Sequence, residues 1–519
     1  MKKIITLLLS VVTVLVACLA LSGCKNKESK IKVVPVSLSS EEYAFAVKKG
    51  DTELKNSINY FFKEKKSEIE SIFAKYTVGN IDLNDSSKFG DETIETEASG
   101  ADNELVVATN LEFAPFEYMI GNKIAGIDME IAKHLAAYLD KTLVVVNMPF
   151  DAVVTSVAVG KCDVGMAGLT VTPEREKTVD FSEKYFDASQ VIVVKESDKT
   201  FDGLTDAKQV EEKLTSLSGK AAKCGGQKGT TSQFYIEGSE DFGFNGFKNL
   251  KFSGYAGASQ AVEDMLNGNL AFVVVDKETA NTLVASDEMS KWDKFVKSFI
   301  TNEGYKIAFS GLSATLKIAF FGFLIGIVIG LVIASVKVAG AQSKTCRIIS
   351  KIGDVYVIFF RGTPIIVQLL LVYYVLFPLV GLKIDKLVVA IVTFGMNSGA
   401  YVSEIMRSGI LSVDKGQAEA GRSLGLGYCM TMLKIVLPQA FKNILPTLGN
   451  EIIALVKDTS VVSFIAVVDL TNAFQLIGSG TYEFVVPYLI LAATYLVITL
   501  ALSGVVKLLE RRLRTSERK

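Results

Sequence analysis

From Ile318 onward the chain carries long runs without a single charge, at 318–336, 362–382, 387–403 and 484–506. A helix needs about 20 apolar residues to cross the roughly 30 Å of hydrocarbon in a bilayer. Core helices of soluble proteins rarely stay uncharged for so long, so these runs predict membrane spans. Residues 25–305 are different, being polar with charges spread throughout. The 519 residues allow more than one domain. A net charge of −1 gives no global field that argues for nucleic acid. Composition alone therefore predicts a polar part followed by a membrane part.

The N-terminus carries Lys2 and Lys3, an apolar stretch from Ile4 to Leu21, and then Ser22-Gly23-Cys24. A charged start, an apolar core and small residues at the cut describe a secretory signal. The cysteine directly after small residues resembles the lipobox of bacterial lipoproteins, which implies removal of residues 1–23 and lipidation of Cys24. An uncleaved anchor helix is the alternative, and either exports residue 25 onward. Beyond Cys18 and Cys24, only Cys162 and Cys224 fall in the exported part, while Cys346 and Cys429 fall in the membrane half. No disulfide framework or metal spacing follows. The single histidine, His134, sits in a helical pattern and reads as a helix-surface residue.

The exported part alternates strand and helix signals. Glu104–Thr109 reads as a strand, 126–139 as a helix, 143–147 as a strand, 150–159 as a helix and 163–169 as a strand. A second such unit spans about 191–300, with strands near 191–195, 221–224 and 271–276. The pattern predicts two α/β lobes, 104–190 and 191–305, each with a largely parallel sheet. A cleft between two lobes suits a small ligand.

Within that frame stand Ala108-Thr-Asn-Leu-Glu-Phe-Ala-Pro-Phe-Glu-Tyr118, Gly126-Ile-Asp-Met-Glu130, Gly160-Lys-Cys-Asp163, Ala167-Gly-Leu-Thr-Val-Thr-Pro-Glu-Arg175 and Asp180-Phe-Ser182 with Tyr185. In this order they resemble the polar amino-acid-binding proteins of ABC importers. A free amino acid offers a carboxylate and an ammonium, and Arg175 has the planar fork that matches the first. Its bland reading is an exposed ion pair beside Glu174 and Glu176. The resemblance implies that Gly168 and Thr170 give the ligand a carbonyl and a hydroxyl, and that Phe113 and Phe150 sandwich its side chain. Thr230 and Thr231 would donate to the carboxylate, and Asp276 would pair the α-ammonium. The bland reading of Asp276 is a cap for a helix starting at Lys277. Asn110 and Glu112 lie where the family reads the ligand's side chain. Glu112 or Asp151 could meet a cation, whereas Asn110 suits an amide, so basic amino acids and glutamine both stay open.

In that family the chain closes with a strand and two helices that return to the first lobe. Here the membrane part begins instead near 305, and residues 40–75 look like the missing tail. Lys32–Val47 also aligns without gaps against Lys294–Phe309, with Lys32, Val34, Glu41, Tyr43 and Ala46 matching Lys294, Val296, Glu303, Tyr305 and Ala308. The expectation is a circularly permuted binding domain, in which 32–80 complete lobe one and 81–103 link the old ends. A decayed remnant of a first binding domain is the alternative.

In the membrane half, Glu419-Ala420-Gly421, then Gly425, then Ile435-Val-Leu-Pro438 matches the EAA loop of ABC permeases, with Gly421 in place of the usual alanine. Arg361-Gly-Thr-Pro364, Tyr401-Val-Ser-Glu404 and Lys457-Asp-Thr-Ser460 resemble the amino-acid branch of those permeases. This implies an all-α type I permease domain over 308–515 with about five spans, and a helix ended by Gly425 and stopped before Pro438 that docks on an ATPase subunit. Basic residues in 337–361 and 507–519 put those stretches and 404–443 inside the cell. The fourth span is interrupted or flanked by Glu451, Lys457 and Asp458.

No phosphate loop of the Gly-x4-Gly-Lys-Ser/Thr type occurs in the sequence. ATP is therefore expected on a partner chain, with no cofactor in this one. The resemblance implies a second permease copy, the membrane lipid and a free amino acid as further partners. The expected function is amino-acid uptake by a transporter subunit that is not itself an enzyme. An amino-acid-gated ion channel or a sensor is the alternative; such channels interrupt the binding domain with a pore loop and lack an EAA loop.

Overall fold

The computed structural model describes residues 31–76, 94, 96, 98–286, 290–339, 344–380 and 384–515. The signal, Cys24 and residues 81–93 of the expected linker lie outside them. The described chain divides into two compact units, 31–308 with 473–489, and 309–472 with 490–515. Grouping 473–489 with the exported half was not expected from sequence.

The first unit opens with three short strands, β1 (Ile31–Val33), β2 (Glu41–Tyr43) and β3 (Ala46–Lys48), then helices Thr52–Glu64 and Lys66–Tyr76. β4 (Glu104–Thr109) follows, then the hairpin strands β5 (Glu112–Phe113), β6 (Glu117–Ile120) and β7 (Lys123–Ala125). β8 (Thr142–Asn147), β9 (Val164–Gly165), β10 (Val179–Phe181) and β11 (Phe186–Ala188) complete that stretch. β12 (Gln190–Lys195), β13 (Lys223–Gln227), β14 (Lys251–Tyr255) and β15 (Phe272–Asp276) come last.

Two five-stranded sheets result, in the orders β10-β3-β9-β4-β8 and β1-β12-β15-β13-β14. Both are mixed rather than largely parallel. β4 pairs in parallel with β8 and β9, but β3 enters antiparallel between β9 and β10. Likewise β13 is parallel to β14 and β15, whereas β1 and β12 run antiparallel at the edge. The antiparallel partners β1 and β3 come from far upstream, so no local strand–helix alternation announces them.

Residues 31–76 are shared between the lobes. β1 joins the second sheet, and Val34, Val36 and Leu38 enter that lobe's core beside Ile192, Phe201 and Phe272. The expectation had put all of 32–80 on lobe one. β2 pairs with β11 where the chain passes from one lobe to the other. β3 and the two helices lie on lobe one. Asp51 caps the first helix by accepting from Leu54 N at 3.0 Å, and Ile58 and Phe61 are fully buried. Phe61 meets Tyr138 with ring centroids 5.5 Å apart. Tyr76 accepts from Gly126 N at 3.1 Å and donates to Glu130 at 2.9 Å. The second copy of the weak repeat folds otherwise: Lys291–Val296 and Tyr305–Ala339 are α-helices.

The helix Ile127–Tyr138 buries Ile127, Ile131 and Leu135 at helical spacing, the stripe its sequence predicts. His134 is on the exposed face, with Nδ1 3.3 Å from Glu68.

The other unit is helical. Glycines 322, 326 and 330 line one face of Tyr305–Ala339 against the helix Lys386–Leu411. A Cβ on Gly326 would stand 2.8 Å from Ser398 Oγ, and one on Gly330 2.6 Å from Val402 Cγ1. Small residues are what let two apolar helices approach so closely. Among the described residues three helices are long and apolar enough to cross a membrane, within 305–337, 386–411 and 485–512. The pair Ile348–Gly362 and Ile365–Leu376, bent by 107°, makes up to four.

This is fewer than the five expected. Residues Leu437–Asp458 do form a helix of 22 residues, but Lys442, Glu451, Lys457 and Asp458 keep it below that measure. The expected intracellular stretch 337–361 is itself largely helical, from Lys344, and breaks at Pro364. Proline cannot donate, so carbonyls of the preceding turn need other partners. Gln368 Nε2 donates to the carbonyls of Phe360 and Thr363 at 2.9 and 3.0 Å. Asn397 Nδ2 donates to Phe360 O and Gln368 Oε1 at 3.1 and 3.0 Å.

Candidate functional site

Eight of the nine expected ligand residues line one small cavity between the lobes of the first unit. They are Phe113, Phe150, Gly168, Thr170, Arg175, Thr230, Thr231 and Asp276, joined by Tyr43, Ala167 and Gln227. The cavity measures about 20 Å³. That is water-sized, so an amino acid enters only if the lobes part.

Arg175 follows Thr172, whose hydroxyl caps the short helix Pro173–Glu176. Its guanidinium reaches across the cleft: Nη1 donates to Thr170 O at 2.8 Å and Nη2 to Gly229 O at 3.4 Å. It also stacks over the Phe150 ring at 5.4 Å. Burial pulls this group down to about 10, opposed by the nearby charge of Glu41. Arg175 thus turns toward the cavity rather than making the exposed pair of its bland reading.

Gly168 has φ +53°, and a Cβ there would come 2.7 Å from Phe113 Cε1. Its N–H donates to Asp128 Oδ2 at 3.2 Å. Thr170 Oγ1 donates to Glu41 Oε2 at 2.9 Å and lies 3.3 Å from Thr231 Oγ1. Thr230 Oγ1 donates to Gln227 O at 2.8 Å. Asp276, at the end of the buried strand β15, accepts from the Tyr43 hydroxyl. Burial pushes its carboxyl up to about 7.

Asn110 stands behind the lining, where Nδ2 donates to Met148 O at 3.1 Å and Oδ1 accepts from Gln227 Nε2 at 3.4 Å. Neither acid considered for a cationic side chain reaches the cavity lining. Asp151 is exposed. Glu112 is half-buried, its Oε2 beside Gly257, and desolvation lifts its carboxyl to about 7, opposed by nearby Gln475. The sequence reading missed Gln227 and Tyr43 as lining residues. Gln227 lies just before Gly229-Thr-Thr231, so only its distance from that motif hid it. Tyr43 was noted only as part of the tail.

In the helical unit, Lys415–Ser423 is a helix capped by Asp414, which accepts from Gly416 N at 2.7 Å. Glu419 and Ala420 are exposed, and Leu424 is 80 % exposed. Gly421 is buried, because a Cβ there would lie 2.7 Å from Thr431 Cγ2 and 2.9 Å from Ile435 Cδ1. Gly425 turns the chain at φ +78°, a conformation natural to glycine at a helix end. Pro438 does not stop a helix as expected. The chain is helical without a break from Tyr428 to Asp458, and the proline comes just after a π turn at Met432–Val436. Deeper in the bundle Ser398 Oγ donates to Glu451 Oε1 at 2.9 Å.

Residues 105–418 match the bacterial extracellular solute-binding proteins of family 3, and residues 322–515 match the inner-membrane component of binding-protein-dependent transport systems. The chain belongs to both families. It is a multi-pass transport permease with its solute-binding protein attached, a transporter component rather than an ATPase. The permease part is 40 % identical over 207 residues to the arginine transport system permease protein ArtQ of Bacillus subtilis (strain 168), covering 40 % of this chain and 92 % of that one. It is 36 % identical to the putative glutamine transport system permease protein GlnP of Rickettsia typhi (strain ATCC VR-144 / Wilmington), covering 39 % and 91 %. The arginine-bound, truncated ArgBP of T. maritima overlays at 32 % identity, over 36 % of this chain and 79 % of that one, with a TM-score of 0.31.

Proposed function

We propose that this chain captures a polar amino acid outside the cell and passes it through its own permease, driven by a separate ATPase subunit. The observation that carries the reading is the convergence of Arg175 and Asp276 on one closed cavity, on a chain that also bears the exposed helix Lys415–Ser423. Opposite charges at two ends of a small polar site suit the carboxylate and ammonium of an amino acid. Beyond them, Phe113 and Phe150 flank the site, and the amide pair Asn110–Gln227 lies behind it. Amide oxygens accept N–H groups from a guanidinium, an ammonium or a carboxamide alike. The ligand is therefore a basic amino acid or glutamine.

Five spans fit this role, with Leu437–Asp458 as the interior one, its Glu451 facing Ser398 rather than lipid. Five are too few to enclose a gated pathway, so the permease works as a dimer, with a second copy as partner. Glu419, Ala420, Gly421, Gly425 and Pro438 form the lever on which the ATPase docks. The exposed Leu424 gives that lever an apolar contact. Residues 32–76 are the displaced tail of a permuted binding domain, as supported by β2 and β3 pairing with β11, β9 and β10. The lipobox supports lipidation at Cys24, which would tether the receptor outside the cell through its N-terminus as well as through the first span.

Calorimetry of the full chain in lipid nanodiscs, titrated with each of the twenty amino acids, tests the reading. Arginine, lysine or glutamine should bind in the micromolar range or tighter, and binding of none of the twenty would overturn it.

A further inference from the structure

One wall of the cavity comes from a part of the chain that the solute-binding match, which starts at residue 105, does not include. Tyr43 of β2 is 2 % exposed. Its ring lies edge-on to Phe116, with centroids 5.4 Å apart, and tilted against Phe186 at 5.9 Å. Its backbone bridges to Thr170, and its neighbour Ala44 donates to Leu169 O at 3.1 Å. Tyr43 is therefore held by the hinge pairing and by the loop that carries Gly168 and Thr170.

The hydroxyl gives its one proton to Asp276 Oδ1. A phenol that donates once still accepts through its lone pairs. An ammonium brings three N–H donors, and a carboxylate already engaged by a phenol leaves at least one of them seeking another acceptor. A group paired with Asp276 inside this cavity lies within reach of the same phenol oxygen, because both share one carboxylate.

We propose that Tyr43 is a ligand-contacting residue, whose hydroxyl donates to Asp276 and accepts from the ligand's α-ammonium. This rests on the reading that Asp276 pairs that ammonium. The upstream segment is then part of the binding site itself, and not only a scaffold that completes the lobes. Because β2 crosses at the hinge, ligand contact and lobe closure act on the same short strand.

The test is Tyr43→Phe, which keeps the ring and removes the oxygen. L-arginine and L-glutamine are titrated into the full chain in nanodiscs from pH 5.5 to 8.5, beside Asp276→Ala and the wild type. The charged or titratable groups around Asp276 are Glu41 on β2, Glu117 on β6, Tyr185 before β11 and Arg175 across the cavity. All remain in the variant. Asp276 must be ionised to pair an ammonium, so wild-type affinity falls as the pH drops below about 7. Without its phenol donor Asp276 holds a proton more tightly. Tyr43→Phe should therefore bind about tenfold more weakly at neutral pH, with the acid loss moved to higher pH and the melting temperature of the unliganded chain unchanged.

A uniform weakening at every pH, or a lowered melting temperature that accounts for the loss, would reduce Tyr43 to packing and overturn the proposal. Wild-type affinity in the variant would overturn it as well, while leaving the amino-acid reading intact if Asp276→Ala abolishes binding. Binding that survives Asp276→Ala would instead remove the ammonium assignment on which the proposal stands.

Discussion

Thr170 Oγ1 lies 3.3 Å from Thr231 Oγ1, joining the two lobes of the solute-binding unit across the cavity. Thr170 gives its proton to Glu41, so Thr231 is the donor in this pair. Arg175 spans the same gap, with one N–H on Thr170 O and another on Gly229 O. These bonds hold the cleft shut on groups that a bound carboxylate would otherwise engage.

Arg175→Ala should therefore weaken amino-acid binding by about a hundredfold or more, since it removes one member of a buried charge-assisted pair. Calorimetry on the full chain measures this. Retained binding at wild-type affinity would show that the carboxylate is held elsewhere.

Deleting residues 32–80 should abolish binding and lower the melting temperature of the solute-binding unit. The deletion removes β2 and β3 with both following helices, opening the first sheet between β9 and β10. It also strips Val34, Val36 and Leu38 from the second core. Unchanged affinity and melting temperature would mean that the segment is a remnant.

Stability should fall as the pH rises from about 5 to about 7. Asp128 accepts from Tyr185 Oη at 2.8 Å and from Gly168 N, yet burial keeps its carboxyl up at about 7. Glu117 beside it is also raised, by burial and then by the Asp128 charge. An unfolded aspartate ionises near 4. Between those values the folded chain holds more protons than the unfolded one, so stability is present at low pH and lost as the pH climbs through the folded value. The slope contributed by Asp128 is on the order of 1 kcal/mol per pH unit. Asp128→Asn should flatten the melting-temperature profile over that range, and an unaltered slope would exclude this residue.

Gly421→Ala gives the alanine that the EAA-loop resemblance implies, but here it should impair coupling, because the new methyl meets Thr431 Cγ2 at 2.7 Å. Adding Thr431→Ala should recover it. Amino-acid-stimulated ATPase activity of the reconstituted transporter reports both. An unimpaired single variant would show that the helix shifts freely.

Much of this was legible in sequence, for identifiable reasons. β4, β8, β12 and β15 are runs of apolar residues bounded by polar ones, and the glycine at 425 marks its own turn. The helix Leu437–Asp458 looked doubtful as a span because Glu451, Lys457 and Asp458 interrupt or flank it, and only the fold brings Glu451 to Ser398. Strands β2, β5 and β11 have only two or three residues, too few for any periodicity to show. Their pairing, and with it the place of Tyr43, depends on contacts between distant parts of the chain. Gln475 illustrates the same limit, since nothing near residue 475 announces its place beside Glu112. Likewise the charge of Glu112 suggested a ligand contact, but only the fold reveals that it lies beside Gly257, off the cavity lining.

A chain that both captures and translocates an amino acid must carry it across a bilayer. Uptake of radiolabelled arginine and glutamine into proteoliposomes, with the chain and its ATPase subunit reconstituted together, measures this. ATP-dependent accumulation of at least one of them is expected, lost in Arg175→Ala and in Glu419→Lys, with Glu419→Lys still binding the ligand. Ligand binding without accumulation, or an ion current evoked by the amino acid, would rule out a transporter of this kind.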